Sequence, residues 1–517
     1  MNKASQTKSG IVIAYFQVAA QMIVNLLFTP VTLRLLGQSE YGLYSTAAST
    51  ISMLSMLSLG FNSSYIKKYS EYNNSKDEDS INKLNGMYLL VFSIIGFIAL
   101  ICGTIISCNL KYIYDTGLTS AELNKARILM MLLTFNLSIN FPFSVFDSII
   151  GAHEQFIFQK LVRMLQTVIS PIVMIPVLLM GFSSVGMVLT TITFSIIINI
   201  CNAYFCFRKL NVRFKFGNWE KDLLKTLFKY TSFIAINIVA DQINMNMDKI
   251  IIGRYRGTDN VAVYSVGHTI HACYLSLSIN ISNVFVPKVH KIANACNLSI
   301  QKASKEFTEF FIKVGRTQYY VTMLIFTGFI FYGRSFIQLW AGDGYQNGYY
   351  VCVLLMFAST IAAIQSLGIE IQRSFNKHQV RSLVYVLMAA LNLTISIFFC
   401  QWWGEIGSAI GTAISQIAAD GIVMNIYYHK VLKIDIRKFW TEIIKISCGM
   451  IVPVIYGCII NRLAGIDNWL TLGMHIIVYT CIYMLSVYIL SMNSFERSVI
   501  TNALLRIKGK QCNSDSV

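Results

Sequence analysis

Long apolar segments recur along the whole 517-residue chain. Each runs for about 18 to 28 residues, which is enough for a helix to cross a hydrocarbon core of about 30 Å. We count fourteen, the first over residues 10–35 and the last over residues 468–491, with the others including 41–66, 226–252, 379–401 and 405–428. A chain that is 55% hydrophobic and 13% charged is typical of membrane proteins. The sequence therefore predicts an all-α integral membrane protein with about fourteen transmembrane helices.

The distribution of charge between the loops predicts the orientation of these helices. The polar start of the chain leads into an apolar stretch that is too long for a cleavable signal peptide, so we expect the first helix to be retained. With an even number of spans both termini lie on one side, and that side carries 33 of the 42 Lys and Arg residues while the other carries 9. Positive charge accumulates on the cytoplasmic side. We expect both termini to be cytoplasmic, and we attribute the net charge of +17 to this bias and not to a nucleic-acid partner.

Two halves of the chain are similar to each other at a shift of 220 residues. The shift aligns Arg34 with Arg254 and Tyr44 with Tyr264, and a nearby shift of 221 aligns Gly186 with Gly407. Six helices separate the aligned segments, so both halves insert in the same direction, as in transporters built from parallel repeats. We predict an N-terminal six-helix lobe (residues 1–208), a second six-helix lobe (209–433) around a shared central cavity, and two extra helices with a cytoplasmic tail (434–517).

Polar side chains follow one face of two helices that the repeat makes equivalent. On the seventh predicted helix they are spaced four, three and four residues apart, and on the first helix they are spaced four apart. Charged and amide groups in the membrane are costly unless they face a protein interior or water, so these stripes predict a polar cavity. Interhelical hydrogen bonding that only joins helices is the alternative. The candidate residues are Asn237, Asp241, Asn244 and Asp248 on one helix and Gln17, Gln21 and Asn25 on the other.

Two further groups of ionisable residues stand out. His268 and His271 lie three residues apart on the eighth predicted helix, where packing or proton relay would both explain them. Asp77, Glu78 and Asp79 form an acidic run in a polar loop, which is usually a solvated connector. The twelve Cys have no metal-like spacing, so no metal site is predicted.

Several segments in a fixed order resemble a known family. They are "FTPVTLRLLGQSEYGLYS" from Phe28, "GFNSSYIKKYSE" from Gly60, "DKIIIGRYRG" from Asp248, "FIQLWAGDGYQNGYYVCVLLM" from Phe336 and "GEIGSAIGTAIS" from Gly404. Over roughly residues 8–430 the chain resembles the polysaccharide-biosynthesis oligosaccharide flippases of the multidrug/oligosaccharidyl-lipid/polysaccharide exporter superfamily.

The resemblance implies a function. Proteins of this family move undecaprenyl-pyrophosphate-linked repeat units across the bacterial inner membrane for O-antigen, capsule or related surface polymers. It implies lipid-linked oligosaccharide, membrane lipids and other polysaccharide assembly proteins as partners, no cofactor, and H⁺ or Na⁺ as an open choice of coupling ion. It also implies that basic residues attract the pyrophosphate, a role that falls on Arg34 and on Lys67, Lys68, Lys288 and Arg316. Asp241 and Asp248 depart from this pattern, because they are acidic on the path of an anion.

Two other function classes are compatible with the same residues. A cation-coupled multidrug-type exporter would have the same fold. A membrane-bound glycan enzyme would need a metal-binding acidic motif, for which Asp77 to Asp79 is the candidate. We predict a transporter and not an enzyme, because no loop is long enough to form a catalytic domain.

Overall fold

The computed structural model describes residues 3–217, 221–375, 377, 379–463, 465–494 and 496–498. Within these residues the secondary structure is helical, and no strand is present. The α-helices are α1 (Lys3–Leu36), α2 (Gln38–Ser52), α3 (Phe61–Ser75), α4 (Glu78–Cys108), α5 (Leu110–Ile113), α6 (Ser120–Ala152), α7 (Phe156–Leu179), α8 (Ser183–Arg208), α9 (Lys221–Arg256), α10 (Thr258–Val284), α11 (Val286–Ala295), α12 (Ile300–Ala341), α13 (Gly348–Ile364), α14 (Leu367–Ser374), α15 (Gln379–Gln416), α16 (Met424–Lys430), α17 (Ile436–Ser447), α18 (Ile451–Leu463) and α19 (Trp469–Leu490).

The all-α membrane fold is confirmed. Among the described residues, ten helical segments are long and apolar enough to span a membrane, or eleven if the bent pair α13 and α14 forms one span. Apolar side chains on these helices face outward, such as Phe97 on α4, which is 63% exposed, and Ile477 on α19, which is 64% exposed. Large outward-facing apolar surfaces of this kind are suited to lipid.

The difference between fourteen predicted spans and ten or eleven long helical segments arises where helices break, merge or carry polar side chains. The predicted span 41–66 is split into α2, a 3-10 turn and α3, because Leu59 and Gly60 both have positive φ. The predicted spans 379–401 and 405–428 adjoin at Gly404, whose φ of 60° and ψ of −133° interrupt α15. The predicted span 226–252 lies in α9, where amide and carboxylate side chains lower the hydropathy.

Gly60 explains the position of the break before α3. Its φ of 73° lies in the left-handed region, and a Cβ at this position would overlap the Cγ2 atom of Ile234 on α9. A residue with a side chain would therefore be strained and would also collide with the neighbouring helix. The glycine lets the chain turn and lets α9 approach closely.

The chain forms two compact units. Unit 1 comprises Met1–Cys273, Gly344–Leu355 and Gln379–Ala419, and unit 2 comprises Tyr274–Asp343, Met356–His378 and Asp420–Val517. In unit 1, α4 packs on α6, α1 on α7, and α9 on α15. In unit 2, α12 packs on α17, α18 and α19. The boundaries of the two six-helix lobes stay a prediction, and the predicted tail after residue 498 lies outside the described residues.

Candidate functional site

The polar stripe on α9 divides into an exposed part and a buried part. Asp241 is exposed, and the Arg381 guanidinium on α15 is the charge that acts on its carboxylate. Asn237 and Asn244 are half-buried, and the Oδ1 atom of Asn244 is buried without a hydrogen-bond partner in the described structure. Asp248 is only 2% exposed. The two acidic residues that were predicted to face one cavity therefore have different surroundings.

Three hydroxyl groups surround the carboxylate of Asp248. Tyr264 on α10 and Thr412 on α15 both donate to its Oδ2 atom over 2.7 Å, and Ser408 on α15 donates to Oδ1 over 2.7 Å. Thr412 also lies 3.1 Å from the Oδ1 atom of Asn392. A carboxylate that accepts several hydrogen bonds can be buried at much lower cost than one without partners. Asp248 thus joins α9 and α10 to the second segment of α15, and Thr412 links that segment to the first through Asn392.

The polar residues of α1 make fewer hydrogen bonds than Asp248 does. The Gln21 amide donates to Asn25 Oδ1 over 2.9 Å, and Thr167 on α7 donates to Gln21 Oε1 over 3.1 Å. Gln21 is exposed, whereas Gln17 and Asn25 are half-buried. Gln21 therefore both bonds to a neighbouring helix and is accessible from outside. This is intermediate between the two predicted roles, which are lining a polar cavity and joining helices by hydrogen bonds.

The basic residues to which we assigned pyrophosphate attraction are in unlike environments. Arg34, Lys67 and Lys288 are exposed. The Lys68 ammonium lies 2.6 Å from Glu71, and the Lys288 ammonium lies 5.0 Å from the centre of an aromatic ring on α12. These four cations remain candidates for anion attraction.

Arg316 differs from the other basic candidates. It is 6% exposed, and its guanidinium binds Glu442 at 2.9 Å and Glu496 at 2.7 Å. All three residues lie in unit 2. Because two carboxylates already neutralise its charge, Arg316 is better explained as a residue that fixes α12 to the helices after residue 434, and we leave it out of the proposed anion path.

The acidic run at the start of α4 has a local structural role. Asp77 caps the helix by accepting from the backbone N–H of Ser80 over 3.0 Å, and Asp79 lies 2.6 Å from both Lys83 and Lys215. No group of three or more His, Cys, Asp or Glu residues that could hold a metal occurs among the residues described. The cap accounts for Asp77 and the ion pairs account for Asp79.

A second polar cluster, which the sequence analysis missed, lies where α2, α6 and α10 begin. We call it the clasp, formed by Ser39, Glu122 and Thr258. The Glu122 Oε1 atom accepts from Ser39 over 2.9 Å and from Thr258 over 2.7 Å, and the two hydroxyl oxygens lie 3.0 Å apart. One carboxylate thus joins the first turns of three helices that are far apart in the sequence.

Glu122 is held in place by its own helix. Its Oε2 atom accepts from the backbone N–H and the hydroxyl of Thr119 over 2.8 and 2.7 Å, and the Thr119 hydroxyl accepts from the Glu122 N–H, which completes a capping box. The sequence Thr119-Ser-Ala-Glu122 is a recognisable signal for this motif. The motif could have been found in the sequence, but its contact with α2 and α10 could not.

Further contacts surround the clasp in unit 1. A Cβ on Gly42 of α2 would overlap the backbone oxygen of Thr258, so the two helices touch through their backbones. Glu40 accepts from Lys125 over 2.7 Å and from the hydroxyl of Ser183 over 3.0 Å. Together these contacts hold the first turns of α2, α6 and α10 against one another at this end of unit 1, which we call the clasp end.

Basic and aromatic residues line α9 and α10 below the clasp. The Tyr264 ring lies 6.0 Å from the His268 ring, and the His268 ring lies 6.1 Å from that of His271. His268 is half-buried, His271 is 8% exposed, and Lys249 on α9 is half-buried and acts electrostatically on His268. From its position in the sequence Lys249 could pair with the adjacent Asp248 or extend toward the membrane surface, and the structure adds its charge beside His268.

Known structures share this fold. The structure described as "Lipid II flippase MurJ, inward closed conformation" has a TM-score of 0.75 and 16% identity, and the match covers 95% of this chain and 99% of that chain. An inward-facing multidrug resistance MATE family transporter of the MOP superfamily has a TM-score of 0.55 and 13% identity over 85% of this chain and 99% of that one. A point mutant of the Vibrio cholerae MATE transporter VcmN has a TM-score of 0.57 and 12% identity over 84% of this chain and 98% of that one.

Sequence comparison adds a family to this fold. No curated protein matches the chain. Residues 7–292, which are more than half of the chain, match the family described as polysaccharide biosynthesis protein. The chain is therefore a multi-span membrane protein that belongs to the polysaccharide biosynthesis protein family.

Proposed function

We propose that this protein moves undecaprenyl-pyrophosphate-linked oligosaccharide repeat units from the cytoplasmic to the outer face of the bacterial inner membrane, for surface polysaccharides such as O-antigen or capsule. Family membership and a fold like that of a lipid II flippase support this proposal. The loop charges favour cytoplasmic termini, so the clasp end, which follows the first membrane helix, is the outer end.

The observation that carries the proposal is the clasp itself. Three side chains and one glycine contact join α2, α6 and α10 at the end through which the glycan would leave, and we propose that they keep this exit closed in one state of the transport cycle. Hydrogen bonds of this kind contribute about 0.5 to 3 kcal/mol each. They are therefore strong enough to stabilise a closed state and weak enough to break when the protein opens. An alternating-access transporter needs such a closure, whereas an enzyme does not.

A glycan head group needs a polar route, because unsatisfied polar groups are costly in hydrocarbon. We propose that Gln17, Gln21, Asn25 and the exposed Asp241 contact the sugars, and that Arg34, Lys67, Lys68 and Lys288 attract the pyrophosphate. The prenyl chain stays in the lipid. Outward movement of two negative charges is assisted by about 4 to 5 kcal/mol at ~100 mV.

A cation-coupled multidrug exporter is the second candidate, because the chain also shares its fold with MATE transporters. The buried carboxylate of Asp248, which lies among hydroxyl groups, is suited to exchange of a cation such as H⁺ or Na⁺ during transport. The same residue would also serve a cation-coupled flippase. Substrate identity, and not the presence of coupling, therefore separates the two functions.

The test is the glycan profile of a deletion strain. The flippase proposal predicts loss of surface polysaccharide, accumulation of lipid-linked repeat units on the cytoplasmic face, and recovery of both with the wild-type gene. Normal surface polymer together with increased drug sensitivity would reject the flippase and support the exporter.

A further inference from the structure

A polar cavity lies at the end of unit 1 opposite the clasp. It has a volume of about 370 Å³ and lies between α3, the start of α4, the end of α6 and the segment 209–217. Its lining consists of Tyr69, Asn73, Glu78, Ile81, Asn82, Asn85, His153, Leu210, Asn211, Val212 and Arg213. By the loop charges this end faces the cytoplasm.

The walls of the cavity are fixed by internal hydrogen bonds. Asn85, which is 2% exposed, donates to the backbone oxygen of Arg213 over 3.1 Å and accepts from Tyr65 over 2.7 Å. The backbone N–H of Lys215 donates to the backbone oxygen of Asn82 over 3.0 Å. Segment 209–217 is thereby held on α4, and the cavity keeps its shape.

An aromatic pair forms one side of the cavity. The hydroxyl of Tyr69 lies 2.9 Å from Nε2 of His153, and the two ring centres are 4.8 Å apart. The hydrogen bond fixes both rings. Ring edges and faces of this kind can contact the C–H groups of a sugar while the polar lining contacts its hydroxyl groups.

Other lining groups, most of them exposed, have no hydrogen-bond partner among the residues that the structure describes. The side chains of Asn73, Asn82 and Asn211, and the charged groups of Glu78 and Arg213, make no hydrogen bond or ion pair in the part of the chain that the structure describes. Each amide offers two donors and one acceptor. The fixed wall and the unused amides together make a site that is ready to bind a ligand with many donors and acceptors.

Charge and polarity narrow the ligand class. One acidic and one basic residue line the cavity, so their formal charges cancel. A phosphate would be favoured by a surplus of positive charge, and a lipid chain by an apolar lining. A neutral polyhydroxylated ligand fits the amides best, and the volume is at the lower end of the range of about 300 to 1,000 Å³ for small-molecule sites.

We propose that this cavity binds a neutral mono- or disaccharide unit of the glycan before translocation. The inference rests on the proposed function for the source of the saccharide. It assigns specificity for sugars to a cytoplasmic site that is separate from the polar stripes of α1 and α9.

The test uses full-length protein in lipid nanodiscs and saturation-transfer difference NMR. The first probe is the neutral oligosaccharide released by mild acid from the lipid-linked pool of the deletion strain, and inorganic pyrophosphate is the comparison. We expect saturable binding of the oligosaccharide that excess pyrophosphate does not displace. Replacement of Asn73 or Asn82 by Ala should weaken binding about tenfold each, since each removes hydrogen bonds to the ligand.

Asn74→Ala is the matched control, because Asn74 follows Asn73 on α3 and is equally classed as exposed but does not line the cavity. Equal binding by wild type, Asn73→Ala and Asn82→Ala, or stronger binding of pyrophosphate that depends on these amides, would overturn the proposal. No binding of the oligosaccharide by folded wild-type protein would also overturn it.

The cavity can be tested apart from the proposed function. If the deletion strain accumulates no lipid-linked pool, the flippase proposal fails, and free lactose, cellobiose and N,N′-diacetylchitobiose become the probes. Amide-dependent binding of one of them would keep the cavity proposal, and binding of none would reject it.

Discussion

The two ends of unit 1 use polar side chains in opposite ways. At the clasp end, Glu122 is fully occupied by hydroxyl and backbone donors from three helices. At the other end, the side-chain amides of Asn73 and Asn82 make no hydrogen bond among the residues that the structure describes. α6 connects the two ends over 33 residues, or about 50 Å at 1.5 Å per residue. Polar groups that bind each other join helices at one end, and polar groups without partners leave the other end available to a ligand.

Polar side chains along α9 also differ in burial and hydrogen bonding with their distance from the clasp end. Asp248 is nearer the clasp end and is buried among hydroxyl donors. Asp241 precedes it on α9 by about two helical turns, which places it further from the clasp, and is exposed. One sequence pattern therefore produces two environments on one helix. The difference arises because α10 and α15 supply hydroxyl donors to Asp248.

The largest effect is expected from Gly42→Ala. A methyl group at this position would overlap the Thr258 backbone oxygen, so α2 and α10 would have to separate. We expect transport to fall at least about tenfold, as for other backbone displacements in packed interiors that cost a few kcal/mol. In the same variant, a cysteine placed at the half-buried Tyr41, in a background without the native Cys, should react faster with an impermeant thiol reagent.

Gly473→Ala on α19 is the control, because no atom lies within 4 Å of its added Cβ. It should transport and label like the parent protein. Full transport by Gly42→Ala would show that backbone contact at the clasp end is not required.

The second largest effect is expected from the replacement of Asp248 by Ala. Removing the carboxylate leaves the hydroxyls of Tyr264, Ser408 and Thr412 without their acceptor, which should lower the free energy of unfolding by about 1 to 3 kcal/mol. Thermal unfolding in detergent, together with a transport assay, measures the effect.

Asp241→Ala is the matched comparison on the same helix. Because Asp241 is exposed, its replacement should change stability by less than about 0.5 kcal/mol. If both variants lose the same stability, the buried and exposed environments of the two carboxylates are not as different as the structure indicates.

A smaller effect is expected from Thr258→Val, which keeps the shape of the side chain but removes its hydrogen bond to Glu122. Loss of one partly exposed hydrogen bond corresponds to about 0.5 to 1.5 kcal/mol, so the clasp should open about two- to tenfold more often. Hydrogen exchange of the first turns of α2 and α10 should increase. Thr104→Val is the control, since in the described structure Thr104 donates to the Leu100 backbone oxygen of its own helix and is exposed.

The smallest effect is expected when the pH is lowered. Burial alone would raise the pKa of Glu40, but hydrogen bonds from Lys125, Ser184 and Ser183 outweigh it and hold this pKa below the ordinary value of 4.5. A carboxyl group with a lowered pKa in the folded state stabilises that state above pH 4.5, and this contribution disappears as the pH falls through the lowered pKa. Hydrogen exchange near the clasp should rise in that range for wild type and depend less on pH in Glu40→Gln.

Much of the fold follows from the sequence because hydropathy acts locally. Each predicted span lies mostly on helix, and the first lies within α1, since an apolar run of this length has few alternatives in a bilayer. The exact breaks did not follow from hydropathy. Leu59 lies in an apolar run, and its left-handed conformation depends on the packing of Gly60 against α9.

The candidate site followed from the sequence only in part. Spacing placed Asp241 and Asp248 on one side of α9, but burial depends on which helix packs there, and α15 supplies hydroxyls that enclose Asp248. Arg316 was selected for its charge alone, and its carboxylate partners follow it by 126 and 180 residues. Partners at such separations leave no local pattern in a single sequence.

The sequence by itself determined that this chain is helical, lies in a membrane and carries polar groups at defined positions along its helices, because each of these properties depends on nearby residues and on the solvent around them. Only the tertiary structure decided which polar groups bind each other, as Glu122 binds Ser39 and Thr258, and which stay available, as Asn73 and Asn82 do. The physical reason is that a hydrogen bond needs atoms within about 3 Å of each other, and distant segments reach that distance only when the helices pack.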